Sequence, residues 1–490
     1  MVRLRGAARR VRAEEARPTD DASAGRLSGR RAGGARPPKS AKGKRAPGSK
    51  SRGTRSAVSA GAVPAEALPE KNGPGESLAA APDRPLTGAE TTALAAVREA
   101  SAVRPVARHS SRIELSMAAL RNNVRFVRSK VGTHPVISAV VKANAYGHGI
   151  DPFVPMAEQC GIHHFSVSSS YEANEVLSVC SDETRIMIMG IIYPQDLPWI
   201  IEHGLEFYVF DLTLLEKAAE VAGKVGAPAV VHLEVETGGN RTGLDEASFL
   251  QALAFIKAHR RKIRFEGFCT HLGGIETLAN QFRIKKQLAR FEALGRKMRS
   301  LRITPAKRHV AASAAALAFP ETLLDLVRVG TALYGMWPSP DIYNLHLLES
   351  PDLHKPTLQR VLTWKTNVMH LKSIARDEFV GYGTAFQAAK DMTVAVLPVG
   401  YSNGFPRELS NRGHVLVRGR KCPVVGLVNM NVCMVDVTHV PGVQVGDEVV
   451  LVGKQKKNVI PIRSFSEFSN ALNNEFISRL PADVPRTVVR

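Results

Sequence analysis

From His134 to Gly330 the chain sets eight short β-rich runs among longer amphipathic stretches, and this pattern constrains the fold more than any other feature. The runs are HPVISAVV, HHFSVS, RIMIMGI, LEFYVF, AVVHLEVE, IRFEGFCT, KRHVAA and DLVRVG. Between most of them lie stretches with apolar residues at helical spacing, such as DLTLLEKAAEVAGK and NQFRIKKQLARFEALGRKMRS. IELSMAALRNNVRFVRSKV, just upstream, has the same spacing and reads as helix. Strands that alternate with helices form a parallel sheet, because each crossover needs a helix to return the chain. Eight units over about 235 residues approach the ~250 residues of a closed (β/α)8, or TIM, barrel. The fold class is therefore α/β, with the barrel expected over 109–345.

The pattern breaks near Trp337. WPSPDIYNLHLLESPDLHKP reads as a turn-rich connector, and LTWKTNVMHLKSI, MTVAVLPVG, HVLVRGRKCPVVGLV, CMVDVTHV and DEVVLVG follow as strands. A β-rich second domain is expected over 346–490. The first 108 residues differ again. They are rich in Ala, Arg, Gly, Pro and Ser, and the first 55 carry 17 Lys and Arg against 4 Asp and Glu. Such a segment buries too little apolar surface to offset chain entropy and reads as disordered, with a weak helix at TALAAVREA. It can bind nucleic acid weakly and non-specifically by counterion release, but it lacks aromatic residues for base stacking. It has no apolar core of a secretory signal, and its early acidic residues argue against an organelle-targeting peptide. No apolar run nears the ~20 residues of a membrane span. The five cysteines form no CxxC pair, which argues against a disulfide framework or a metal site and suits a reducing, cytoplasmic compartment.

In a TIM barrel the chemistry sits at the C-terminal ends of the strands. Lys142 follows the first run, Arg241 the fifth, His271 the sixth and Ser313 the seventh; Arg328 lies in the eighth, with Gly330 and Thr331 just after it. Taken alone, Lys142 reads as a lysine snorkelling at a strand end. The loops after the last two strands are the usual phosphate site of this fold, and Ser313 with the backbone near Gly330 suits a phosphate. A lysine across the mouth from such a site suggests pyridoxal phosphate held as an imine.

VVKANAYGHG then resembles the cofactor-lysine motif of the alanine racemase family. VHLEVETGGNRTG, FEGFCTHLGG, HVAASAAAL, DLVRVGTALYG, VGYGTAF, LPVGYSNG and VVGLVNMN resemble further segments in family order, over roughly 111–490. The resemblance implies a homodimeric pyridoxal 5′-phosphate enzyme that interconverts L- and D-alanine with two bases, supplying D-alanine for peptidoglycan. A broader racemase acting on serine or basic amino acids is the alternative. Lys142 would hold the cofactor and act as one base. Tyr382 would be the other, reaching the active site of the partner subunit, with His271 beside it. Arg328 would face the pyridine nitrogen and Arg241 the phenolic oxygen and the substrate. Tyr146, Ser313, Gly330 and Thr331 would bind the phosphate, and Tyr401 and Met430 would line the substrate-carboxylate pocket. Two bases suit the reaction, because one group cannot easily serve both faces of a carbon.

The chain also departs from the family pattern. Glu234 stands where many members have a carbamylated lysine and supplies a carboxylate directly. Asn431 replaces a frequent aspartate, Asn429 a cysteine and Ala312 an asparagine, and Ala482 stands at the family's second phosphate tyrosine.

Overall fold

The computed structural model describes residues 109–349, 357–466 and 473–490. The basic head and the TALAAVREA segment lie outside them. The eight runs become β2 (Val136–Val140), β3 (His164–Ser169), β4 (Arg185–Ile191), β5 (Glu206–Val209), β6 (Ala229–Glu234), β7 (Ile263–Cys269), β8 (Lys307–His309) and β9 (Leu326–Val329), after a first strand β1 (Ser111–Ser116). They form one eight-stranded sheet, ordered β8-β7-β6-β5-β4-β3-β2-β9. The pairs are parallel, with Ser138 opposite Arg328 and Tyr208 opposite His232. The two ends of the sheet meet through Asp325 N–H to Arg308 O at 3.0 Å and Arg328 N–H to Ala311 O at 3.0 Å. These bonds bring the ring nearly to closure.

Local chemistry starts the crossover helices where the sequence has cap residues. Ser169, Asp211 and Asp245 each accept a backbone N–H from the first turn of the following helix. Gly226 ends Leu212–Val225 in the left-handed conformation that glycine adopts without strain.

The helical reading of 113–131 needs correction at its start. Ser111–Ser116 is a strand, in which Ile113 and Leu115 are buried on alternate positions. Only Met117–Val131 is helical, capped by the Ser116 hydroxyl. The stretch is ambiguous because Ile113 also falls in helical register with Met117, Leu120 and Val124. The connector after Trp337 likewise holds a helix, Pro340–Glu349. The Ser339 hydroxyl accepts the Ile342 N–H at 3.2 Å, and Pro340 is pre-set for a first helical position.

The C-terminal part contains β10 (Leu362–Asn367), β11 (His370–Ile374), β12 (Met392–Leu397), β13 (His414–Val417), β14 (Arg420–Pro423), β15 (Cys433–Asp436), β16 (Glu448–Gln455), β17 (Asn458–Ile460) and β18 (Arg486–Val489). One sheet runs β14-β13-β16-β10-β1-β18, with β17 on β16, and the other runs β11-β12-β15. β1 thus belongs to the C-terminal sheet, between β10 and the parallel β18. Trp364 centres this core, within 6.4 Å of the Phe405, Phe465 and Phe476 rings. No helix among the described residues is long and apolar enough to cross a membrane.

Candidate active site

Lys142, Tyr146, Arg241, His271, Ser313, Arg328, Gly330 and Thr331 line one cavity of about 1620 Å³ at the C-terminal mouth of the barrel, together with Glu234. The barrel topology gathers them from five of its strand ends.

Lys142 opens an unusual turn. Ala143, Asn144, Ala145 and Tyr146 all have φ between 51° and 53°, one left-handed turn without a glycine. Each such residue costs about 1–2 kcal/mol, so the turn must be held from outside. The Glu172 carboxylate accepts the Ala143 N–H at 2.7 Å and binds Ser168 through its N–H at 2.7 Å and its hydroxyl at 2.9 Å. The Asn144 side chain accepts the Ile150 N–H at 2.9 Å. From the C-terminal strand, Arg486 donates to the Gly147 carbonyl at 3.1 and 3.3 Å. A Cβ on Gly147 would lie 1.8 Å from the Ile477 carbonyl oxygen, so the C-terminal segment seals this loop against the barrel. Charged hydrogen bonds contribute about 1.5–3 kcal/mol each, enough to offset most of the strain. Glu172→Ala should therefore lower unfolding stability by about 2–3 kcal/mol and weaken the site, read by denaturant unfolding beside activity. Unchanged stability would mean that the turn holds itself.

Electrostatics at the mouth favour uncharged amine and imidazole. Lys142 keeps a path to solvent, yet the surrounding protein and then Arg241 hold its amine below the ordinary lysine value, against the pull of Glu172. Burial, then Arg328, Arg241 and Lys142, push His271 down to about 3, so it is neutral at physiological pH. Burial pushes the Tyr146 phenol up to about 12, leaving it a donor. Burial raises Glu234 as well, opposed by the Thr242 hydroxyl and by Arg328 and Arg241. No ion pair joins Glu234 to Arg241 within 4.0 Å; they share a smaller cavity of about 170 Å³ with Thr242 and His271.

Arg328 is 4 % exposed. Its Nη1 donates to His309 Nδ1 at 2.6 Å, and its Nη2 to the carbonyls of Thr270 and Val310 at 3.0 and 3.2 Å. Ser313 Oγ accepts the Gly330 N–H at 3.0 Å. A Cβ on Gly330 would lie 2.8 Å from the Tyr146 hydroxyl, so the glycine makes room for that phenol beside Ser313. These hydroxyls and backbone groups form a small polar cradle on the side of the mouth where phosphate was expected.

Tyr382, Tyr401 and Met430 do not join this cavity within one chain. They stand on the C-terminal domain, 71 %, 43 % and 56 % exposed. Tyr401 and Met430 occupy linked loops, through Tyr401 N–H to Asn429 O and Ser402 N–H to Met430 O, both at 3.0 Å. Asn431 donates to Ser402 Oγ at 2.8 Å. The expected contact between His271 and Tyr382 is accordingly absent within the single chain. Sequence reading missed Glu172, Asn144, Arg486 and His309. The one signal for Glu172 was its place in the first turn of a Ser-capped helix, where a carboxylate is common.

Two family models match the chain: "Alanine racemase, N-terminal domain" over residues 115–338 and "Alanine racemase, C-terminal domain" over 361–488. An alanine racemase of Desulforamulus reducens is 34 % identical over 378 residues, covering 77 % of this chain and 98 % of its own. The solved structure of the alanine racemase of Streptomyces coelicolor superposes with a TM-score of 0.70 at 28 % identity, over 78 % of this chain and 98 % of that one. The enzyme of Bartonella henselae, solved with covalently bound pyridoxal phosphate, superposes at 0.66 with 25 % identity, over 78 % and 100 %.

Proposed function

Because this chain belongs to the alanine racemase family, we propose that it interconverts L- and D-alanine with pyridoxal 5′-phosphate, as a homodimer that uses one base on each face of the substrate. The observation that carries this reading is the convergence of Lys142, Arg328 and the Tyr146–Ser313–Gly330 cradle on one cavity. The residues fit the cofactor. A buried donor-only guanidinium suits an unprotonated ring nitrogen, the cradle suits a phosphate, and an amine held below its usual value suits covalent attachment. When bound, pyridoxal phosphate supplies the electron sink that makes the α-proton of an amino acid acidic.

This chain's own groups do the rest. The Lys142 amine takes or returns the α-proton on one face, and its depressed pKa keeps more of it neutral and basic. The Tyr382 phenol serves the opposite face from the partner subunit, since it stands exposed and outside its own cavity. Tyr401 and Met430, on linked loops of the same domain, would border the substrate carboxylate. With the cofactor bound, Arg328 would face the ring nitrogen, and a guanidinium that can only donate would keep that nitrogen unprotonated and disfavour transamination. Arg241, with Glu234 beside it in the cavity lining, would stand on the phenolic-oxygen side of the cofactor. We place the enzyme in the cytoplasm, feeding D-alanine to peptidoglycan. The test is a panel of L-amino acids with the purified protein; the reading requires L-alanine to be racemised fastest.

Glu234 makes a separate expectation. If its carboxylate replaces a carbamylated lysine, the rate in degassed buffer should equal the rate with added bicarbonate. Glu234→Gln keeps size and removes charge, and kcat/KM should fall several-fold, about 1 kcal/mol, as suits a charge that acts on Arg241 across the shared cavity and not through a direct ion pair. Unchanged kinetics in that variant would mean that Glu234 does not act on Arg241.

A further inference from the structure

The barrel interior holds a chain of polar side chains that leads away from the cavity. His309 Nε2 lies 2.9 Å from His232 Nδ1, and His232 Nε2 lies 2.9 Å from Glu206 Oε2. The same oxygen is 3.3 Å from His164 Nε2, and His164 Nδ1 is 2.9 Å from Ser138 Oγ. β6 and β8 are not neighbours in the sheet, nor are β3 and β5, so these contacts cross the inside of the barrel. His232 and His309 are fully buried and Glu206 is 1 % exposed. Their rings and carboxylate replace the branched apolar layers usual in this fold.

The polarity of the chain follows from its two ends. A guanidinium can only donate, so His309 Nδ1 must accept from Arg328. A neutral imidazole has one donor and one acceptor, so the His309 proton sits on Nε2 and is donated to His232 Nδ1. The His232 proton then sits on Nε2 and is donated to Glu206, a carboxylate that can only accept. The opposite arrangement would set two N–H groups against each other at Arg328. Charge states agree: burial and then Arg328 hold His309 well below the ordinary histidine value, and burial lowers His232 against the pull of Glu206. Burial works to raise Glu206, but the His164 and His232 hydrogen bonds outweigh it and keep the carboxylate ionised.

We propose that His232 and Glu206 are positioning residues: through His309 they form a one-way hydrogen-bond relay that fixes the donor edge Arg328 presents to the cofactor. Its bearing on catalysis rests on the proposed role of Arg328; its polarity does not.

Glu206→Gln is the informative change. Arg185 Nε lies 2.7 Å from Glu206 Oε1 and draws the amide oxygen to that side. The amide NH2 then faces His232 and reverses the relay. His232→Phe is the second variant. It keeps a ring over Gly267, where a Cβ would lie 1.8 Å from His232 Nδ1, but removes both bonds. The first readout is the histidine tautomers of the ligand-free protein, from ¹⁵N-histidine NMR near neutral pH. Both His309 and His232 should carry the proton on Nε2 in the unaltered protein, and His309 should shift toward Nδ1–H in Glu206→Gln. The second is function in both variants. Pyridoxal phosphate should bind about tenfold more weakly and kcat should fall about tenfold, with KM for alanine within about twofold. A wild-type His309 protonated on Nδ1 or on both nitrogens would overturn the relay. Reversed tautomers with unchanged cofactor affinity and kcat would overturn its positioning role. Failure of the unaltered protein to bind the cofactor or racemise alanine would instead count against the proposed function.

Discussion

Lys142→Ala should lower kcat by about four orders of magnitude or more, because on the proposed mechanism the change removes both the covalent anchor and one of two bases. Two lysines line the cavity, so the assignment is a choice between them. Lys217 sits on the helix Leu212–Val225 and is tied to Glu220 at 2.8 Å, with its side chain 43 % exposed. Lys142 is at the end of β2, where the left-handed turn fixes its backbone and Glu172 and Arg486 fix the turn. Borohydride reduction of the holoenzyme, followed by peptide mapping, should place the label on Lys142. A labelled peptide containing Lys217 would end the assignment. Lys142→Arg should be as inactive as the alanine variant, since a guanidinium retains charge but supplies neither nucleophile nor base near neutral pH. An arginine variant with near-normal kcat would show that position 142 contributes only a positive charge.

The barrel could be read from the sequence because its strands fall in short β-rich runs set off from longer amphipathic stretches, although β8 itself is only Lys307–His309 and was marked by the apolar residues that follow it. β1 could not. Its Ile113 alternates with Leu115 as in a strand but also falls in helical register with Met117 and Leu120, and its partners β10 and β18 lie some 250 or more residues downstream, beyond any local pattern. The candidate site was legible at the strand ends, where polar residues interrupt apolar runs. It was not legible where polar residues sit inside the strands. Glu206, His232 and His309 fall on inward positions that sequence alone cannot tell from outward ones, and their partners lie on non-adjacent strands. The turn after Lys142 was hidden for another reason. KANAY contains no glycine to announce positive φ, and the groups that hold it come from Glu172 and from Arg486, 339 residues beyond Gly147.

The proposed division of the two bases between domains leads to the other large effect. Tyr382→Phe removes one hydroxyl from a residue that, in a single chain, is 71 % exposed and lines no part of the cavity holding Lys142. If the phenol acted only within its own chain, losing it would change little. If it enters the partner's cavity, racemisation should fall by about 10³-fold or more, the weight of one general base. The two cases separate when Tyr382→Phe is mixed with Lys142→Ala. In a two-fold symmetric dimer each site takes its lysine from one subunit and its tyrosine from the other. A mixed dimer then has one site without either base and one site with both. Random exchange at equal amounts makes about half of the dimers mixed, so about a quarter of wild-type activity should return. Neither variant alone can reach that level. Direction adds a second signature. A missing base on one face should slow solvent-deuterium exchange into L-alanine more than into D-alanine in Tyr382→Phe, and the reverse bias should follow from loss of the Lys142 amine. If mixed dimers form, as tagged subunits would show, and no activity returns, the two bases do not meet across the interface, and Tyr382 must be removed from the site.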